Sequence, residues 1–349
     1  MRILLATDAW FPQVNGVVRT LDTVRRELLA LGHDVLVVAP DRFKTIPCPS
    51  YPEIRLAFGV LPRLRKLIAE FQPEAVHIAT EGPIGWAVRR FCLRRGWPFT
   101  TAFHTKFPEY VHARWRVPVG WSYALMRRFH RPSSGIMVAT ESLAKELSAR
   151  GFENIRAWTR GVDTELFRPR AKGWLGADRP IFMFVGRVAV EKNIEAFLAL
   201  DLPGTKFVVG DGPQLESLRA KYRAVRFTGY RQGEELAATL AEADVFVFPS
   251  LTDTFGLVLL EALASGVPVA AFPVTGPIDV VLDGKVGALD TDLRRAALEA
   301  LQKSPDACRA YALGYSWRRC AEIFLGHLRP FGQPATDHQR KISAPSFTS

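Results

Sequence analysis

Residues 243–269 read ADVFVFPSLTDTFGLVLLEALASGVPV. The β-rich run Val245–Phe248 meets Pro249 and a polar loop, and Phe255-Gly256-Leu257 then opens an apolar helical run. Val267–Ala271 is the next strand candidate. A strand, a helix and a strand in so short a span form a crossover between parallel strands. Neither strand alternates polar with apolar residues, so both faces of the sheet must be covered. Ligands of such sheets sit beyond the carboxyl ends of the strands, where the loop holding Asp253 falls.

The same unit recurs outward in both directions. Upstream lie Ile181–Val185, Lys206–Val209 and Val225–Phe227. In the first half Ile3–Thr7 precedes a helix whose Val17, Leu21, Val24, Leu28 and Leu31 share one face. Gly32 ends that helix, and Asp34–Ala39, Ala75–Ala79, Phe99–Phe103 and Gly135–Ala139 continue the series, with Thr140 as an N-cap. A stretch rich in Pro, Gly and charge, Phe167–Pro180, reads as a linker. The expected fold class is therefore α/β, with two doubly wound Rossmann-like domains facing each other across a cleft, divided at 168/169. The tail 329–349 is polar and proline-bearing and reads as loose.

A chain of 349 residues suits two domains, and 48% hydrophobic with 23% charged residues excludes collagen, coiled coil and global disorder. Cys48, Cys92, Cys308 and Cys320 stand far apart, without the spacing of a zinc site, and read as reduced cytosolic thiols. The first apolar run is too short for a signal peptide, and the longest uncharged stretch, 262–278, carries three prolines and two glycines. No membrane-spanning segment is expected. The net charge of +11 is lopsided: residues 1–170 hold 26 Lys+Arg against 15 Asp+Glu, and the remainder holds 20 of each. An anionic ligand or surface facing the first half follows, and basicity alone does not choose between nucleic acid and lipid.

The motifs fall just after strands. Asn15-Gly16 stands before the first long helix, where glycine admits a ligand close to helix-start amides; an ordinary strand-to-helix turn has the same look. Gly186-Arg187 with Lys192 (GRVAVEKN) places a forked cation and a point charge where both can meet a diphosphate, or where both are solvated. Gly210-Asp211-Gly212-Pro213 lacks the third glycine of a dinucleotide fingerprint and reads as a tight turn, with proline at the first helical position. In the opening stretch, amides at Gly256 and Leu257 face an anion, and Asp253 and Glu261 accept from two hydroxyl-bearing parts of one ligand. The plainer alternative makes Asp253 a loop acid and Glu261 a helix-surface acid. His104 in FHTKF ends a strand on the ligand side, with a structural histidine as the rival reading. Asp290-Thr291-Asp292 reads as helix capping, and no cluster suggests a metal.

Taken in order, PQVNGVVRTL, FHTKF, RGVDTELF, GRVAVEKN, GDGP and TDTFGLVLLEALASG resemble the retaining glycosyltransferases of family 4, two-domain enzymes of the GT-B fold. The TDTFG form with PQVNGV is similar to the branch holding sulfoquinovosyl, glucosyl and glucuronosyl diacylglycerol synthases and GDP-mannose-dependent mannosyltransferases. The resemblance implies that Gly16 contacts the donor phosphate and that Arg187 and Lys192 hold the diphosphate. It implies that Asp253 binds donor sugar hydroxyls, that Gly256 and Leu257 give backbone contacts with Phe255 beside them, and that Glu261 binds the ribose. His104 would lie by the donor sugar, and the turn Gly229-Tyr230 would serve the base pocket by position. The first member of the family's usual Glu-x7-Glu pair is here Asp253, one methylene shorter. A front-face substitution with retention is implied, with no metal and no cofactor beyond the nucleotide sugar itself. Residues 309–328 look like the helix that returns to the first domain, leaving 169–308 as the nucleotide-sugar-binding domain and 1–168 as the acceptor side.

An acceptor clue lies in the basic half. Leu61, Leu64, Ile68 and Phe71 share a helical face, with Arg63, Arg65 and Lys66 turned away. Residues 110–131 mix Trp115, Trp121, Tyr123 and Phe129 with Arg114, Arg116, Arg127, Arg128 and Arg131, which suits a lipid headgroup interface if the apolar residues are not core. The expectation is a cytoplasmic enzyme on the inner face of an anionic membrane, moving a glucosyl, glucuronosyl or mannosyl group to a lipid acceptor such as diacylglycerol. The alternative acceptor is a soluble sugar or polysaccharide. A nucleic-acid-binding role lacks any zinc, RNP-type or basic-zipper pattern, and a dehydrogenase lacks the third glycine.

Overall fold

The computed structural model describes residues 1–13, 15–48, 51–109, 116–282 and 284–331. Arg114, Trp115 and the tail from 332 lie outside the described residues. The chain separates into two compact units: Met1–Thr159 joined by the segment from Trp317, and Arg160–Ser316.

The first unit is built on a six-stranded sheet of β1 (Arg2–Ala6), β2 (Asp34–Val38), β5 (Ala75–Ile78), β6 (Thr100–Ala102), β7 (Gly135–Val138) and β8 (Ile155–Ala157). Their order is β2-β1-β5-β6-β7-β8, all parallel, with Leu4 opposite Leu36 and Val76. Because strand side chains alternate, β1 serves two cores. Ile3 and Leu5 pack with Leu21, Val24 and Leu28 of α1 (Gly16–Ala30), while Leu4 and Ala6 pack with Leu64 and Ile68 of α2 (Val60–Phe71) and Ile84 and Val88 of α3 (Pro83–Arg95). Leu64 and Ile68 are therefore core, and the α2 face that paired them with a basic flank is not a membrane face. An antiparallel hairpin, β3 (Lys44–Cys48) with β4 (Tyr51–Phe58), interrupts the alternation. Further helices are α4 (Val119–His130) and α5 (Glu141–Ala149), with Thr140 at the N-cap of α5.

The second unit repeats the plan with β9 (Ile181–Val185), β10 (Thr205–Val209), β11 (Arg226–Gly229), β12 (Val245–Phe248), β13 (Val269–Ala271) and β14 (Gly287–Leu289). Their order is β11-β10-β9-β12-β13-β14, again all parallel. Its helices are α6 (Ile194–Leu198), α7 (Leu215–Lys221), α8 (Gly233–Ala241), α9 (Leu257–Ala264), α10 (Pro277–Val280), α11 (Leu293–Ala300) and α12 (Pro305–Ala312). Phe182 and Phe184 pack with Ile194, Phe197 and Leu215 in one core layer. Asp292 caps α11 by accepting from the amides of Arg294 and Arg295, as its sequence position suggested. Proline does not open α7: Pro213 sits in the preceding turn, and the helix starts at Leu215.

Two Rossmann-like α/β domains result. The run 158–180 holds neither helix nor strand, and Glu242 pins it to the second unit by accepting from the Gly173 amide at 2.7 and 2.9 Å. Residues 309–328 span two helices, the end of α12 in the second unit and α13 (Trp317–His327) in the first. Cys320, Ala321 and Phe324 of α13 join the core formed by Ile3, Leu5 and α1. Among the described residues no helix is long and apolar enough to cross a membrane.

Candidate active site

In each sheet the strand order reverses beside the first strand, and the crevice at that reversal is where such sheets take ligands. In the second unit the reversal falls between β9 and β12, so the loops 186–193 and 249–256 meet there. Lys192 ends a one-turn 3-10 helix, Val190–Lys192, and its ammonium donates to both carboxylate oxygens of Asp253 at 2.9 and 2.7 Å. Next to it Asn193, in the left-handed region at φ 51°, donates its amide to the Pro249 carbonyl at 3.1 Å. Two contacts thus lock the two loops. Arg187 stands earlier in the same loop, half-exposed, with a guanidinium nitrogen 4.0 Å from Glu191.

The Gly-Asp-Gly turn explains how that loop is held. The Gly210 amide donates to the Gly229 carbonyl at 2.8 Å, the Gly186 amide to Val209 at 3.0 Å and the Val188 amide to Asp211 at 2.9 Å. A Cβ on Gly210 would lie 1.9 Å from the Gly186 oxygen, and one on Gly212 would lie 2.4 Å from the Val188 oxygen. The glycines serve close backbone approach, which puts the loops after β9, β10 and β11 in one hydrogen-bonded layer. Gly229 ends β11 with φ 77°, and Tyr230 beyond it is 54% exposed.

Gly256, at φ 80°, is the N-cap of α9 and has no side chain with which to cap it. Leu257 is its first residue, so the opening amides are offered to the loop side. Phe255 is buried, so it packs beneath the loop and any contact with a ligand runs through its backbone. Glu261 is 4% exposed, which rules out the helix-surface acid. At α1 the case differs: Asn15 accepts from the amides of Val17 and Val18, both at 3.0 Å, and so occupies two of the donors an anion would use near Gly16.

Gly16 and His104 belong to the first unit. His104 follows β6, its ring edge-on to Trp158 at 5.7 Å. Trp158 is fully buried and donates its indole N–H to the Cys320 carbonyl at 3.1 Å, so α13 backs the wall on which His104 rests.

Sequence reasoning passed over Asp8. This carboxylate follows β1 and accepts from the amides of Ile84 and Gly85 at 2.8 and 3.2 Å, and from the Thr80 hydroxyl at 2.9 Å. Burial pushes its pKa up to about 6 against those hydrogen bonds, with Glu81 adding a smaller upward push. A Cβ on Gly82 would lie 2.4 Å from the carboxyl carbon. The signal was the Gly-Pro-x-Gly of 82–85 after a strand, which marks a helix start with Pro at its first position.

In the second unit the arrangement offers two cations, helix-start amides and a carboxylate with lone pairs to spare. That set fits a diphosphate carrying a polyhydroxyl group. Residues 14–166 match the family model described as Glycosyltransferase Family 4, and residues 179–303 match Glycosyl transferases group 1. A GDP-mannose-dependent alpha-mannosyltransferase of Mycobacterium tuberculosis is 30% identical across 94% of this chain and 96% of its own. An alpha-monoglucosyldiacylglycerol synthase of Streptococcus pneumoniae is 29% identical across 88% of this chain and 79% of its own. The structure of sucrose-phosphate synthase from Thermosynechococcus elongatus superposes with a TM-score of 0.78 at 22% identity, covering 93% of this chain and 97% of that one.

Proposed function

Since the chain belongs to glycosyltransferase family 4 and has the GT-B fold, we propose that it moves a glucosyl, glucuronosyl or mannosyl group, with retention, from a nucleotide diphosphate sugar to a membrane lipid, diacylglycerol being the first candidate. The observation that carries the donor half is the pairing of Lys192 with Asp253 beside the start of α9. Two of the ammonium's three protons go to Asp253, leaving one for a phosphate oxygen. Arg187 adds a second cation, and the amides of Gly256 and Leu257 add fixed dipoles. Asp253, with its remaining lone pairs, accepts from sugar hydroxyls, and Glu261 accepts from the ribose. The turn at Gly229-Tyr230 receives the base. Gly16 is assigned to the donor phosphate and His104 to the donor sugar on their motif positions alone.

In this account the bond from the anomeric carbon to the diphosphate oxygen breaks while the acceptor oxygen bonds to the same face. The leaving phosphate oxygen takes the acceptor's proton. Catalysis then rests on positioning and on the cations that stabilise the departing diphosphate, without a divalent ion. The lipid half is supported by the charge imbalance, +11 in residues 1–170 and zero beyond, and by the similarity to a glucosyldiacylglycerol synthase.

A second reading keeps the donor site and replaces the acceptor with a soluble sugar or polysaccharide, using GDP-mannose. It is favoured by the near full-length similarity to the mycobacterial mannosyltransferase. The test is release of nucleoside diphosphate from UDP-glucose, UDP-glucuronate and GDP-mannose, with and without diacylglycerol vesicles. Diacylglycerol-dependent release supports the lipid acceptor. GDP-mannose turnover that is indifferent to lipid overturns it in favour of the second reading.

A further inference from the structure

On the first unit, away from the motifs, lies a cavity of about 680 Å³ between α3 and α4. Arg89 of α3 and Arg127, Arg128 and Arg131 at the end of α4 line it, and Glu153 is the one acid among its described lining residues. Ile136, second residue of β7, also lines it, so the cavity opens toward the amino ends of the strands. His104 and Gly16 follow the carboxyl ends of strands in the same sheet. It is therefore separate from the candidate active site.

Two of these charges, Arg89 and Arg127, are held by backbone carbonyls. Arg89 donates to the carbonyls of Phe129 and Arg128 at 2.8 and 2.9 Å, and Arg127 donates to the Arg150 carbonyl at 2.7 Å. Among the described residues none of the four guanidiniums is in an ion pair with a carboxylate. Burial first, and then the neighbouring Arg128 charge, hold the Arg89 pKa below its ordinary value. The carbonyls that Arg89 meets are in the last turn of α4, the electronegative end of that helix, and its remaining N–H groups are left for an anion. Four arginines line one space, and the guanidinium fork matches the oxygens of a phosphate.

The outer arc of α4 says where that phosphate comes from. Helical spacing puts Trp121, Ala124, Leu125 and Arg128 on one arc, while Tyr123, Met126 and Phe129 are buried on the other side. Trp121 is 76% and Leu125 51% exposed. An exposed indole and leucine running into a ring of arginines match the boundary between acyl chains and headgroups.

We propose that this cavity is a seat for the phosphate of an anionic phospholipid, with Trp121 and Leu125 entering the interface beside it. The inference rests on the membrane half of the proposed function but not on its donor chemistry. The test measures partitioning of the full chain onto vesicles of phosphatidylglycerol with phosphatidylcholine, and onto phosphatidylcholine alone. Arg128→Gln with Arg131→Gln is compared with Arg63→Gln with Arg65→Gln, an equal charge change on exposed arginines of α2. Arg128 and Arg131 are exposed like the α2 pair but line the cavity; their loss is expected to weaken partitioning about thirty-fold, and the α2 pair to weaken it several-fold less. Equal losses in both pairs would reduce the seat to diffuse charge and overturn it, as would no loss in either. Inorganic phosphate is the soluble arm. Saturable phosphate binding abolished by the cavity pair, with vesicle partitioning unchanged, would overturn the headgroup assignment. Unfolding midpoint and UDP and GDP binding read fold and donor site separately, so failure here is distinguishable from failure of the donor assignment.

Discussion

The Lys192 ammonium bridges both carboxylate oxygens of Asp253, at 2.9 and 2.7 Å, although the two residues are sixty-one positions apart. This pair joins the loop after β9 to the loop after β12, at the point where strand order reverses. Neither side chain is more than a quarter exposed, so removing one leaves the other charge poorly solvated. We expect Lys192→Ala and Asp253→Ala each to lower kcat about a hundred-fold or more. The double variant Lys192→Ala, Asp253→Asn should unfold at a higher temperature than Lys192→Ala alone, because the stranded charge is gone. Scanning calorimetry with steady-state kinetics checks both; a double variant less stable than either single one contradicts the pairing.

Glycine substitutions separate close approach from backbone strain. At Gly210→Ala the new Cβ meets the Gly186 carbonyl, whereas at Gly229→Ala nothing lies within 4 Å and only the φ of 77° is unfavourable. Gly229→Ala should cost about 1–2 kcal/mol, and Gly210→Ala clearly more, on the order of 3 kcal/mol or above. Urea unfolding measures the difference. Equal costs would mean that the layer of loops after β9, β10 and β11 tolerates displacement.

The same comparison shows what could be read in advance. The strand-to-loop motifs were legible because glycine, proline and charge stand immediately after apolar runs of β-forming residues, as in Val185-Gly186-Arg187 and Phe248-Pro249. The strands overlooked were β8 and β14, three residues each at sheet edges, and the largely exposed β3 with its partner β4. None carries an apolar run long enough to register. Aromatic residues gave no such guide: Tyr123 and Phe129 are core while Trp121 is exposed, and only three-dimensional placement separates them. Asp8 was missed because its partners, Thr80 to Gly85, are more than seventy residues away.

Asp8 gives a pH signature. Its pKa in the folded chain is about 6, above the ordinary 3.8, so the folded state holds the proton more tightly than the unfolded state does. That contribution to stability is fully present below about pH 3.8 and is lost as pH rises through about 6. Over pH 5 to 7.5 the wild type should therefore lose unfolding free energy relative to Asp8→Asn, by on the order of 1–1.5 kcal/mol. Parallel pH profiles for the two proteins would contradict the assignment.

Thiol labelling tests the cores. Burial pushes the thiols of Cys92 and Cys308 up to about 12, and Cys320 is buried, whereas Cys48 is half-buried on β3. An aromatic disulfide reagent at pH 8 should label one thiol per native chain quickly and all four after denaturation. Two or more fast thiols in the native chain would contradict the packing around α3, α12 or α13.

The most direct measurement is calorimetric binding of UDP and GDP in excess chelator, compared with binding in magnesium, for the wild type and Arg187→Ala. If fixed cations and helix amides hold the diphosphate, one of the two nucleotides binds equally well with and without the metal. Its affinity then falls about ten-fold or more in the variant. Binding that vanishes in chelator, or that ignores the loss of Arg187, contradicts the account.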